Sequence, residues 1–141
     1  MAVKSLSTRI AIIGRGTKCS GGSSAVDRSA YISRTTMYSE YDGTYYYPKY
    51  SEDLVHSEVM LPENAPEEYA DPSVLWNSVE MREKNNSKAQ LARSYKISIP
   101  NEWSYELATE VVRDYVKRNF VDEGMCVQFA IHDSENPVTH Q

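Results

Sequence analysis

The sequence predicts a single domain that mixes strands with helices, and three observations lead there. The chain has 141 residues, enough for one hydrophobic core and too few for two. Apolar residues alternate with period two in some segments and recur at spacings of three and four in others. Capping and turn residues separate these segments, so the order reads β-α-β-α-β-α-β, with no internal repeat or low-complexity tail.

The first strand is KSLSTRIAII, residues 4–13, with Leu6, Thr8, Ile10 and Ile12 on one face and Arg9 and Ala11 on the other. A glycine-rich turn follows, broken by Gly21 and Gly22, and Ser23 or Ser24 caps a helix through AVDRSAYIS. That helix buries Val26 and Ala30, while Asp27, Tyr31 and Arg34 share another face. Residues 38–50 carry the turn signal Asp42-Gly43 and form either a ribbon or an ordered loop. Val55, Ser57, Val59 and Leu61 alternate in a second strand that ends at Pro62. Asp71-Pro72 supplies a cap and a first-turn proline for a helix with the stripe Leu75, Trp76 and Val79, ended by Asn85-Asn86. SYKISIP is a short strand with Lys96 and Ser98 opposite Tyr95, Ile97 and Ile99. Leu107, Ala108, Val111, Val112, Tyr115, Val116 and Phe120 make the clearest amphipathic helix, with Gly124 as its stop. In the last strand, MCVQFAIH, the apolar Met125, Val127, Phe129 and Ile131 leave Cys126, Gln128, Ala130 and His132 on the other side.

Composition excludes several classes. No segment approaches the roughly 20 apolar residues of a membrane span, and residues 1–20 carry four spread basic groups rather than an export signal, so a soluble cytoplasmic protein is expected. Cys19 and Cys126 form neither a disulfide framework nor a CxxC metal knuckle. The net charge of −5 argues at face value against nucleic acid, but it is unevenly spread. The first 50 residues carry seven basic and three acidic side chains, net +4, and the remaining 91 carry net −9. Seven of the eleven tyrosines lie between Tyr31 and Tyr50. Basic groups among aromatics suit a single strand, phosphates meeting the cations and bases stacking on the rings. The plainer reading of YDGTYYYPKY is a hairpin or ordered loop whose tyrosines pack.

The segments GGSSAVDRSAYISR, VHSEVMLPENAPEEY, LWNSVE, KAQLARSYKISIP and VKRNFVDEGMCVQFAIHD, in that order, resemble the N-terminal part of the MobA/MobL family of plasmid mobilisation relaxases, within the HUH endonuclease superfamily. The resemblance covers nearly all of the chain and implies the α+β class, an antiparallel β-sheet with helices packed on one face as in the relaxase/Rep-like HUH fold, so that residues 1–141 are a single partial relaxase domain lacking the final metal-bearing strand. It implies an enzyme that nicks one DNA strand at a transfer origin, assisted by Mg²⁺ or Mn²⁺.

The family's nucleophile is a tyrosine in the first helix, and the matching position is Tyr31. A phenolate attacking a phosphodiester stores the cleaved bond as a 5′-phosphotyrosine and leaves a 3′-hydroxyl. Tyrosine ionises only near pH 10, so a divalent ion held by a histidine cluster is expected to polarise the phosphate. His132 matches the first metal ligand. The family's other two ligands are a histidine pair on the next strand. Aligned on Asn136-Pro137, SENPVTHQ leaves Val138 at the first and only His140 at the second. In the other alignment, which we favour, VTHQ belongs to a longer turn and the pair lies beyond Gln141. The strand after AQLAR usually carries acidic residues, where this chain has Ser94 and Lys96. His56 is expected to be structural.

Two functions compete. In the first the chain is the N-terminal part of a relaxase, with Tyr31 as nucleophile, His132 and His140 as metal ligands, and Lys4, Arg9, Arg15, Lys18, Arg34 and Lys96 along the DNA. Its partners are then single-stranded DNA at a plasmid transfer origin and the other relaxosome and coupling proteins, and the chain alone is expected to be inactive. In the second it is a relaxase-like module that binds single-stranded DNA without cutting it. A missing edge strand would also favour dimerisation.

Overall fold

The computed structural model describes residues 8–16, 21–48, 52–86 and 88–133. Six strands and three helices alternate in the order β1 (Thr8–Gly14), α1 (Ala25–Ser33), β2 (Met37–Ser39), β3 (Thr44–Tyr46), β4 (Leu54–Met60), α2 (Pro72–Arg82), β5 (Gln90–Ile97), α3 (Tyr105–Asn119) and β6 (Val127–His132). The strands pair as three antiparallel ladders, β1 with β5, β2 with β3 and β4 with β6. The α+β class and the antiparallel pairing are those the sequence implied.

Local chemistry explains most boundaries. Ser24 caps α1 by accepting from the Asp27 N–H at 3.1 Å, and Asp71 caps α2 by accepting from the Ser73 N–H at 2.9 Å. Gly21 runs so close to β1 that a Cβ there would meet the Ile12 carbonyl oxygen at 2.8 Å. The tyrosine-rich segment is a hairpin turning through Asp42-Gly43, with Gly43 at φ +66°. Two boundaries differ from expectation. β5 begins at Gln90 rather than Ser94, because Leu91 and Ala92 pack against β1 and α2 and draw AQLAR into the ladder. Helix α3 stops at Asn119, and Gly124 closes the 3-10 turn that follows.

Alternation along β6 divides the helices between the faces of its ladder. Phe129 and Ile131 join Ala108 and Val116 of α3 in one core cluster, with Val55 and Met60 of β4 around it. On the other face Gln128 Oε1 accepts from Ser29 Oγ of α1 at 2.6 Å and from Trp76 Nε1 of α2 at 2.7 Å. Around this ladder, α3 packs on one side while α1 and α2 reach Gln128 from the other. Alternating side chains point to opposite sides, and β6 carries groups that pack on both. A second cluster joins Ile13, Leu91 and Ala25 with Trp76 and Val79, and a third joins Val26 and Ala30 to Met37 and Tyr46 of the hairpin.

One buried polar group ties α1, α2 and the hairpin together. Glu80 on α2 is 1% exposed. Its Oε1 accepts from the Ala25 N–H at 2.7 Å and from Ser24 Oγ at 3.0 Å, and the Val26 N–H lies at 3.4 Å. Its Oε2 accepts from Ser39 Oγ of β2 at 3.4 Å. A carboxylate thus closes the N-terminus of α1, where free N–H groups and the positive end of the helix dipole both favour an anion. Truncating it strands several buried donors at once, so Glu80→Ala is expected to cost about 3 kcal/mol by chemical denaturation, and Glu80→Gln, which keeps one acceptor oxygen, less than half of that.

Candidate active site

Tyr31 lies in the last turn of α1, and its side chain is 45% exposed. The opposite side of the helix is sealed by Val26 and Ala30, so the ring stands on a rigid element and faces outward. Two guanidinium groups flank it, Arg34 Cζ at 4.8 Å and Arg28 Cζ at 5.4 Å from the ring centroid. Such stacking holds a ring and places positive charge beside its hydroxyl.

Arg34 ends α1 in the left-handed conformation, φ 56° and ψ 38°, the only non-glycine residue with positive φ among the described residues. That conformation costs an L-residue roughly 1 kcal/mol. Its side chain is well occupied. Nε and Nη2 donate to the two Asp53 carboxylate oxygens at 3.1 and 3.0 Å, and Nη1 donates to the Tyr31 carbonyl at 2.6 Å. Asp53, through its hydrogen bonds and its charge, raises the Arg34 pKa above the ordinary guanidinium value against the opposing effect of burial.

His132 ends β6 on the α1 side, and its Nε2 donates to the Ile32 carbonyl at 2.7 Å. With Nε2 so engaged, Nδ1 has no hydrogen-bond partner among the described residues, the arrangement by which a backbone carbonyl orients a metal-binding imidazole. The adjoining backbone is tied across the ladder. Leu54 pairs with His132, and the Asp133 N–H donates to the Asp53 carbonyl at 2.8 Å. The Tyr105 hydroxyl of α3 donates to the Asp133 carboxylate. Tyr31, Arg34, Asp53 and His132 thus meet where the end of α1 touches the ends of β4 and β6. Among the described residues, no three His, Cys, Asp or Glu side chains converge on one point as a metal ion requires. Asp53 is engaged by Arg34 and Asp133 by Tyr105, which leaves His132 as the described side chain fit to be a ligand.

The remaining expected residues divide. Arg9 and Lys96 are cross-strand partners in the β1–β5 ladder, both exposed and on the face that carries Ile13 and Ala92 toward α1 and α2. Like charges set opposite each other repel unless an anion lies between them. Arg15 has a different place. Its Nη2 and Nε donate to the Glu80 and Lys84 carbonyls at the end of α2, and its guanidinium covers the Tyr41 ring at 3.8 Å. It serves as the C-terminal cap of α2 rather than as an open phosphate contact. Lys4, Lys18 and His140 lie outside the described residues. His56 bonds Glu58 at 3.0 Å and stacks near Phe129 on the α3 face, away from His132, in keeping with a structural role.

The tyrosines of the hairpin divide between its two sides. Tyr46 turns inward onto Val26 and Ala30, and its hydroxyl donates to Asp42. Tyr38, Tyr45 and Tyr47 form an outward ladder, with centroids 4.9 and 6.2 Å apart and exposures of 43, 56 and 74%. Sequence reasoning missed Arg28, Asp53 and Glu80. Arg28 stands three residues before Tyr31 on the same helix and was within reach of the spacing argument, but Asp53 and Glu80 act through partners far away in the chain.

The chain is similar to known proteins along most of its length. The sequence model of a family described as MobA/MobL matches residues 23–141. The chain is 31% identical over 122 residues to the probable mobilization protein MobA of Bifidobacterium longum, covering 84% of this chain and 21% of that protein. It is 34% identical over 142 aligned positions to the probable conjugal transfer protein TraA of Sinorhizobium fredii, covering 93% of this chain and 12% of that one. A structure solved for the molecular basis of vancomycin resistance transfer in Staphylococcus aureus superposes with a TM-score of 0.80 at 25% identity, covering 94% of this chain and 64% of that one. The chain spans about a fifth or less of the length of these curated relatives. No described helix is long and apolar enough to cross a membrane.

Burial and the Asp42 hydrogen bond push the Tyr46 pKa up to about 12. The folded state then keeps a proton that the unfolded chain loses near pH 10, so this contribution is whole below pH 10 and lost as pH rises toward 12. Denaturation measured across that window is expected to show a steeper loss of stability in the wild type than in Tyr46→Phe.

Proposed function

The chain belongs to the MobA/MobL family, and on that premise we propose that it is the strand-nicking portion of a mobilisation relaxase, with Tyr31 as nucleophile. The observation that carries this reading is an exposed tyrosine on a rigid helix, between two guanidinium groups, one residue from the carbonyl that orients His132. The Tyr31 hydroxyl oxygen attacks the scissile phosphorus. The P–Oη bond forms as the P–O3′ bond breaks, and the 3′ oxygen gains one proton for the one the phenol loses. The result is a 5′-phosphotyrosyl intermediate whose ester energy allows the strand to be rejoined. Arg28 supplies positive charge for the phosphate oxygens.

A divalent ion, Mg²⁺ or Mn²⁺, would polarise the scissile phosphate when bound. His132 is the described residue that would hold it, through Nδ1, with His140 the candidate second ligand outside the described residues. DNA enters as a single strand. Arg9 and Lys96 offer a pair of cations for successive phosphates, and the outward tyrosine ladder offers stacking surfaces for unpaired bases. These two features favour strand binding whether or not the chain cuts, and so support the second reading of a binding module. The reaction takes place in the cytoplasm, on plasmid DNA gathered with the other relaxosome proteins.

The test uses, as wild type, a longer protein in which this chain is followed by the family's histidine pair, with single-stranded oligonucleotides tiling candidate transfer origins and Mn²⁺ present; the chain alone is expected to bind these strands and form no adduct. An SDS-resistant protein–DNA adduct is expected from the wild type, absent in Tyr31→Phe and reduced at least tenfold by chelation or by His132→Ala. A wild type that binds these strands but forms no adduct is the binding module alone. Binding is expected to fall steeply with salt, and Arg9→Ala and Lys96→Ala each to lower the slope of log K against log salt by about 1.

A further inference from the structure

The strained end of α1 points to a residue that acts through Tyr31 rather than on DNA. A helix closed by a left-handed residue is ordinarily closed by glycine, which adopts that conformation without hindrance. Here the position holds Arg34, and the strain is offset by what its side chain does. The guanidinium makes three hydrogen bonds in two directions. Two grip Asp53 in a bidentate pair whose side chains are only 13% and 21% exposed, and one reaches back to the Tyr31 carbonyl. The same guanidinium lies across the Tyr31 ring at 4.8 Å. Asp53 is no free anchor either. Its carbonyl accepts from the Asp133 N–H, one residue from His132, so the clamp on Tyr31 is bolted to the strand end that carries the imidazole.

Resting on the reading of Tyr31 as nucleophile, we propose that Arg34 is its positioning residue, locked by Asp53, and that the pair sets the rotamer of the Tyr31 ring relative to His132. Bidentate arginine–carboxylate pairs fix direction as well as charge, so the ring is held against a plane that itself cannot turn. Lysine, a point charge on a flexible stem, would keep the charge and lose the plane. Asparagine at residue 53 would keep the shape and lose the charge-assisted pair. Small displacements of a reacting group reduce rate steeply while leaving affinity in place, which separates positioning from simple phosphate contact.

The experiment has two arms. In the first, without DNA, the wild type, Arg34→Lys, Asp53→Asn and Tyr31→Phe are compared by NMR with labelled arginine Nε and tyrosine rings. The wild type is expected to show one slowly exchanging Arg Nε–H, shifted by the ring, and a restricted Tyr31 ring; both signatures vanish in Arg34→Lys and Asp53→Asn. In the second, single-turnover adduct formation is measured with the longer protein that carries the family's histidine pair, on the oligonucleotide that its wild type cleaves. Asp53→Asn and Arg34→Lys are expected to lower the rate at saturating DNA at least tenfold with Kd unchanged within twofold. Arg34→Gly is expected to melt no lower than Arg34→Ala, since it relieves the backbone, and yet to be as slow. Unchanged NMR signatures in Asp53→Asn overturn the proposal. So does a tenfold weaker Kd with the saturated rate intact, which would make Arg34 a phosphate contact, and so does recovery of the rate in Arg34→Lys. The first arm needs no reaction. A longer wild type with the locked ring and no adduct therefore refutes the nucleophile reading, whereas a mobile Tyr31 ring refutes the lock.

Discussion

The carboxylate of Glu80 against the N-terminus of α1 is the interaction on which the rest of the molecule depends. A helix of nine residues is too short to be stable by its own hydrogen bonds. α1 persists because its first N–H groups meet a buried anion from α2 and because Val26 and Ala30 close its inner side against the hairpin. With the beginning of the helix held in the interior, its end is free to present side chains outward on a base that does not move. Tyr31, Arg34 and the Ile32 carbonyl all lie at that end.

The candidate site is accordingly a junction rather than a pocket. It forms where one helix end touches the ends of two strands, and each contact there is polar: arginine to aspartate, imidazole to carbonyl, backbone N–H across the ladder. This suits a polymeric anion that lies across a surface and brings one phosphate to one oxygen. The charge distribution follows the same logic. The acidity of the chain resides in residues 51–141, while the cations near Tyr31 and on the β1–β5 ladder come mostly from the first 50. Net charge is a property of the whole molecule, and the partner meets only part of it.

Much of the fold was legible because it is locally encoded. Ser24 as cap, Val26 and Ala30 as the buried side of α1, and the turn at Asp42-Gly43 follow from periodicity and turn chemistry within a few residues. Helix α3 shows the limit of periodicity. Its apolar stripe included Leu107, Val111 and Tyr115, but only the part facing β4 and β6 is covered, and these three remain exposed among the described residues. A pattern tells which side is apolar and not how much of it finds a partner. Glu80 and Asp53 were illegible for a stronger reason. A glutamate in a helix reads as a solvated charge, and only the arrival of Ala25 and Ser24, more than 50 residues away, makes it a buried cap. Tyr31 could be chosen among eleven tyrosines only by resemblance, because nothing in its local spacing distinguishes a reactive phenol from a packed one.

The central claim is that chemistry occurs at one tyrosine of the eleven. The most direct measurement is peptide mapping by mass spectrometry after a longer protein, in which this chain is followed by the family's histidine pair, has reacted with a cleavable single-stranded oligonucleotide and the bound DNA has been digested to its terminal nucleotide. A nucleotide adduct confined to the α1 peptide, on Tyr31, is the result this account predicts. An adduct on any hairpin tyrosine, or one spread over several tyrosines, would contradict it.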